Sequence, residues 1–169
     1  MTERTTHAEL PDPFRRVIRR LWHAVTPHGV TWALTGSAGF VLQGVPVAPT
    51  DIDVQTDEGG AYEIERQFAD DVVDPVSFSE GAGIRSHVGR LVSDGIWVTL
   101  MGALQTRLTD GSWEPPVGVA EHRKLVPMDG IWVPVRDLRY EEQAYRRLRR
   151  MERADLLRSV IEQRRPDWT

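Results

Sequence analysis

The sequence predicts a mixed α/β domain of the α+β kind, with helices packed against a small, antiparallel-rich sheet. Three observations lead there. Apolar residues recur at helical spacing near the start, at Phe14, Val17, Ile18, Leu21, Trp22 and Val25. The middle of the chain alternates with period two instead, punctuated by Asp94-Gly95 and Asp129-Gly130, each a hairpin-turn signal. Between these regions, Thr31 to Asp57 reads strand, glycine turn, short helix, loop, strand.

Taken in order, residues 1–11 are polar and expected to be a flexible N-terminus, and residues 12–169 a single domain. Asp12 caps a first helix with Pro13 at its first position, and Arg15, Arg16, Arg19 and Arg20 form its solvated faces. Trp32-Ala33-Leu34 is a short strand that stops at Gly36-Ser37, and Ala38 to Leu42 suits one or two helical turns ended by Gly44. Pro46 and Pro49 forbid further helix, after which Asp51-Ile52-Asp53-Val54 alternates as a half-buried strand. Asp57 reads as a turn or cap residue before a helix from Ala61 to about Asp71. Val72-Val73 and Val76 to Phe78 are short β-prone pieces, and Ile84 to Ser93 and Ile96 to Met101 form a hairpin. Leu104 to Leu108 reads as a helical or turn piece, and residues 123–128 and 131–135 as a second hairpin. A long C-terminal helix, capped by Asp137 and running to about Arg164, closes the chain.

Composition narrows the function. The absence of cysteine excludes disulfides and thiolate metal sites and fits a reducing, cytoplasmic setting. No apolar run reaches the length of a membrane span, and the first residues hold no signal-peptide core. The net charge of −4 argues against a general nucleic-acid binder. The five histidines lack zinc-site spacing, and no P-loop or nucleophile elbow is present.

The candidate site is the stretch around the paired aspartates. Residues two apart on a strand share a face, so Asp51 and Asp53 project together while Ile52 and Val54 enter the core. Neighbouring carboxylates repel, and a hard cation such as Mg²⁺, held by a few carboxylate oxygens plus phosphate oxygens, resolves the repulsion. Gly36 lets the backbone approach a ligand, and Ser37 with the helix start behind it offers a hydroxyl and free N–H groups to phosphate.

This combination, T-G-S, L-Q-G-V and D-I-D-V-Q-T-D in that order, resembles the nucleotidyltransferase superfamily related to DNA polymerase β. Within it, the chain is similar to small prokaryotic stand-alone members, from about Val30 to about Leu157. The resemblance implies Mg²⁺-dependent transfer of a nucleoside monophosphate from an NTP, with ATP expected, to an acceptor hydroxyl on a small molecule, protein or tRNA. It implies one or two Mg²⁺ ions on Asp51 and Asp53, and phosphates against Gly36 and Ser37. Arg85 and His87, sharing one face of their strand, are further candidates for phosphate and acceptor.

In the resembled family the return strand carries a third acid, and the matching residue here is Thr99. A hydroxyl ligates Mg²⁺ weakly and accepts no proton at neutral pH. Three explanations stay open: Glu114 or Glu80 reaches in, the substrate brings its own base, or the chain is a catalytically degenerate nucleotide-binding or protein-interaction module. The arginines of the last helix, Arg146, Arg147, Arg149, Arg150 and Arg153, read as a solvated face or as a surface for an acidic partner.

Overall fold

A computed structural model describes residues 9–164. The order of elements is α1 (Asp12–Val25), β1 (Trp32–Thr35), α2 (Gly36–Leu42), β2 (Ile52–Thr56), α3 (Glu58–Gln67), β3 (Val72–Glu80), β4 (Ile84–Ser93), β5 (Ile96–Thr106), β6 (Arg123–Met128), β7 (Ile131–Arg136), α4 (Leu138–Arg147) and α5 (Met151–Gln163). All seven strands join one sheet in the order β3-β4-β5-β2-β1-β7-β6. Only β2 with β5 and β1 with β7 run parallel, so the sheet is antiparallel-rich, as expected.

The helical stripe of α1 is buried at Phe14, Val17, Ile18, Leu21 and Val25. With Ala61 and Ile64 of α3, it covers the sheet face that carries Leu34, Ile52, Val54, Leu91, Val98 and Leu100. Truncating one such side chain to alanine costs about 2–5 kcal/mol. The arginines on the outside of α1 are not merely solvated. Arg16 reaches Asp94 at 3.1 Å and Arg19 reaches Asp129 at 2.9 Å, tying the helix to both hairpin turns. Exposed pairs of this kind contribute under about 1 kcal/mol each. A second, smaller core gathers Phe40 and Val45 with Leu138, Leu157 and Val160, docking α4 and α5 beside α2.

Several expectations need correction. The C-terminal helix is two helices, broken at residues 148–150, where Arg149 takes a left-handed φ of 59°. The break turns α5 back so that Leu157 and Val160 reach Phe40, and Arg146 spans it by pairing with both Glu142 and Asp155. Residues 104–106 are not helical; they continue β5 past an irregularity at Ala103, φ 52°. Residues 72–80 form one strand despite Pro75. It is the sheet's edge strand and shifts register on either side of Asp74, where a missing N–H is tolerated. The expected loose N-terminus lies mostly outside the described residues, but Leu10, within it, is buried in the core.

Candidate active site

The parallel pairing of β2 with β5 and the antiparallel pairing of β2 with β1 set one row of side chains across the sheet. Asp53 is in register with Thr35 on β1 and with Thr99 on β5, and Thr99 is in register with Arg90 on β4. Registered residues project to the same face. Their neighbours Leu34, Val54, Val98 and Leu100 belong to the core with α1 and α3, so the row occupies the opposite face. One residue past the Leu34–Val135 pair, Arg136 extends this row beside Thr35. Two residues along β2, Gln55 stands on the same face as Asp53, its Oε1 buried without a partner.

Asp51 immediately precedes β2 rather than lying within it. Its Oδ1 accepts from the Thr50 hydroxyl at 3.1 Å, and the Thr50 backbone N–H donates to Ser37 Oγ at 3.0 Å. Ser37 thus fixes the approach to β2 from the start of α2. Burial, and then the Asp51 charge, push the Asp53 carboxyl up to about 6. Gly36 lies so close that a β-carbon there would sit 2.5 Å from Asp53 Oδ2, and its φ of 70° is left-handed.

The acid that faces this row comes from α4. Glu141 is 4% exposed, and its Oε1 accepts a hydrogen bond from the Thr35 hydroxyl. Burial pushes its carboxyl up to about 7; Thr35 and Arg136 oppose that shift and Asp53 adds to it. Arg136 is fully buried with its guanidinium 4.0 Å over the Tyr140 ring, and none of its side-chain nitrogens has a hydrogen-bond partner. Burial lowers its pKa while Glu141 and Tyr140 hold it up.

Together these elements enclose a cavity of about 270 Å³. Thr35, Gly36, Asp53 and Gln55 line its sheet side, Glu141 and Tyr145 its helix side, and the exposed Arg147 and Arg150 its outer end. A neighbouring, more open hollow shares Tyr145 and Arg150 and adds Arg149 and Arg153.

The sequence-predicted residues divide accordingly. Gly36 and Asp53 meet and line the cavity; Thr99 is in register with Asp53 but does not line it, and Asp51 and Ser37, joined through Thr50, lie outside the lining as well. Arg85 and His87 share a face, as expected, but it is the opposite one. His87 is in register with Gly102, against α3, and bonds Tyr62 at 3.1 Å. Arg85 is held by Gln105 at 3.0 Å and stacks 4.5 Å over Trp113, while flanking Ile84 and Thr106 line the cavity. Neither Glu114 nor Glu80 reaches in: they pair with Arg147 and Arg85. Asp57 caps α3, accepting from Gly60 N–H at 2.6 Å. Among the described residues no group of three or more His, Asp or Glu side chains forms a metal cluster.

The sequence reading missed Glu141, Thr35, Gln55 and Tyr145. A signal for Glu141 existed: with Leu138, Tyr145 and Leu148 it falls on one helical stripe, an acid among apolar residues.

Comparison with known proteins agrees with this geometry. Residues 17–158 match the model of a family described as aminoglycoside-2''-adenylyltransferase. The structure of a presumed nucleotidyltransferase from Thermotoga maritima is 44% identical, covers 95% of this chain and 99% of its own, and superposes with a TM-score of 0.83. ANT(2'')-Ia, solved with adenylyl-2''-tobramycin, is 12% identical over 88% of this chain and 89% of its own, with a TM-score of 0.56; it shares the fold. No curated protein matches in sequence.

Proposed function

Because the chain belongs to the aminoglycoside-2''-adenylyltransferase family, we propose that it transfers a nucleoside monophosphate from an NTP to an acceptor hydroxyl, releasing pyrophosphate. Nucleotidyl transfer in general is supported by the family and by the 44% identical structure. The observation that carries the finer reading is Asp53, a half-buried carboxyl raised to about 6 beside Asp51, set against a side-chain-free Gly36 in a half-open cavity.

Desolvation raises that value most and the neighbouring Asp51 charge adds to it; two carboxylates held close in a partly dehydrated cavity suit a divalent cation. Asp51 and Asp53 would hold Mg²⁺, one or two ions, through hard carboxylate oxygens. Bound there, Mg²⁺ neutralises phosphate charge during transfer. The chain's own groups do the rest. Gly36 leaves room for the phosphate chain, and the Ser37 hydroxyl, which accepts from the Thr50 N–H and lies 3.4 Å from the Thr50 hydroxyl, turns its proton to phosphate by giving up that long contact. Arg147 and Arg150 at the outer end suit the β- and γ-phosphates of an NTP, with ATP the expected donor. Arg85 and His87 have no part in this reading. Catalysis rests on alignment and charge complementarity.

The acceptor differs from that of ANT(2'')-Ia in this reading. An aminoglycoside is a polycation, and an outer end carrying Arg150, next to Arg149 and Arg153 and to Arg147 in its pair with Glu114, disfavours one. A neutral or anionic hydroxyl compound fits better.

Incubation with Mg²⁺ and α-labelled ATP, GTP, CTP and UTP tests the proposal through label transfer and pyrophosphate release. Asp53→Asn is expected to lower release at least a hundredfold. Thr99, in register with Asp53 yet no acid, favours a second reading as a nucleotide-binding module. Magnesium-dependent nucleotide binding without release would support that reading.

A further inference from the structure

We propose that Glu141 is the proton acceptor for the attacking hydroxyl, supplying from α4 what Thr99 cannot supply from β5. The inference rests on the nucleotidyl-transfer reading above. In that reaction the acceptor oxygen bonds to the α-phosphorus while the bond from the α-phosphorus to the pyrophosphate oxygen breaks. The hydroxyl proton must leave the acceptor, and pyrophosphate departs with the bonding electron pair. Within the row across the sheet, Thr35, Asp53 and Thr99 offer one carboxylate, and it is committed to the cation. Glu141 adds a second carboxylate from the helix side of the same cavity.

Its placement suits proton transfer. One carboxylate oxygen is held by the Thr35 hydroxyl, and Thr35 is in register with Asp53, so the base is fixed relative to the aspartate. The Thr35 bond occupies Oε1, and among the described residues no hydrogen bond occupies Oε2, which is left to take the proton. Burial keeps the group from titrating in the ordinary carboxylate range, which suits a base working near neutrality. The charged groups around it are Asp53 from β2 and Arg136 from β7, with Tyr145 on its own helix. The guanidinium of Arg136, without a hydrogen-bond partner among the described residues, opposes the upward shift and so favours the ionised form of Glu141. After transfer the proton passes from Glu141 to solvent as products leave.

A purely structural Glu141, a counter-charge to Arg136, is the rival. Glu141→Gln keeps the size and the oxygen that Thr35 bonds, so the fold is expected to survive, with melting temperature checked. Two measurements decide. In metal-free protein labelled with ¹³C at glutamate carboxyls, one resonance is expected to titrate near 7 and to vanish in E141Q. With Mg²⁺ and each of the four NTPs, water or glycerol serving as acceptor, E141Q is expected to bind nucleotide normally. Its pyrophosphate release should fall about a hundredfold or more and lose its acid-side pH limb. Glu141→Asp should recover part of the loss. A Glu141 resonance that does not titrate between pH 5 and 9, or an E141Q that turns over like wild type, overturns the proposal alone. Wild-type protein that binds no NTP, or releases no pyrophosphate from any, overturns the transfer reading and this one with it.

Discussion

At Gly36 two constraints coincide: a left-handed φ of 70°, and Asp53 Oδ2 where a β-carbon would go. Either alone disfavours alanine. Together they require Asp53 to move, since a 2.5 Å separation is far inside van der Waals contact. Gly36→Ala is therefore expected to cost about 1–3 kcal/mol of stability. It should weaken magnesium-dependent nucleotide binding at least tenfold, read by calorimetry. A smaller loss in binding than in Asp53→Asn would show that the aspartate tolerates displacement. These residues were the most legible part of the chain, because a glycine turn and two acids at the start of a strand have a physical meaning in any context, although Asp51 stands just before that strand. Glu141 was not legible in the same way. An acid on a helix is ordinary, and only its place on an apolar stripe, facing a strand a hundred residues earlier, gives it a role.

Among the elements, the break between α4 and α5 is the one the sequence hides. No glycine or proline stands at residues 148–150, so the arginine-rich segment reads as one helix. Tertiary contacts override that local preference: Leu157 and Val160 gain a core only if the chain reverses. The reversal places Arg149 in the left-handed region, which costs a non-glycine residue about 1 kcal/mol or more. Arg149→Gly is thus expected to raise the melting temperature by roughly 2–4 °C, measured by calorimetry. An unchanged or lower value would mean that the arginine makes a compensating contact. The hairpin turns and the strand ends beside them were legible, because Asp-Gly fixes the register there, but the first return strand runs on to Thr106 where the sequence reading stopped at Met101. The face on which Arg85 and His87 lie was beyond the pattern. Period two says which residues share a face; which helix covers that face is decided by the strand order.

For the molecule as a whole, one buried and one half-buried carboxyl set a pH dependence. Asp53 and Glu141 titrate in the folded state near 6 and 7, above the ordinary 3.8 and 4.5. A raised folded value means that the protonated form is favoured by folding. The stability it contributes is complete below about pH 4 and is lost as pH rises through 6 and 7. Metal-free protein should therefore lose stability from these groups between pH 4 and 8, at most about 6 kcal/mol in total. Asp53→Asn and Glu141→Gln should each flatten the profile of melting temperature against pH. Added Mg²⁺ should raise the wild-type melting temperature more at pH 8 than at pH 5, and more than that of Asp53→Asn. A wild-type profile with no downward limb above pH 6 would contradict the burial of both groups. No helix of the described residues is long and apolar enough to cross a membrane, and the distribution of charge is instead local: acids inside, arginines at the outer end.

The cavity's sheet side comes from residues 35–55 and 84–106, and its helix side from residues 140–150, later in the chain than any of them. The helix side is docked through a cluster of a few apolar residues, separate from the main core. That small contact area makes the last two helices the natural first segment to fray. Occupancy of the site would then double as a gauge of that docking: mild denaturant should abolish nucleotide affinity while the sheet's circular dichroism is still intact.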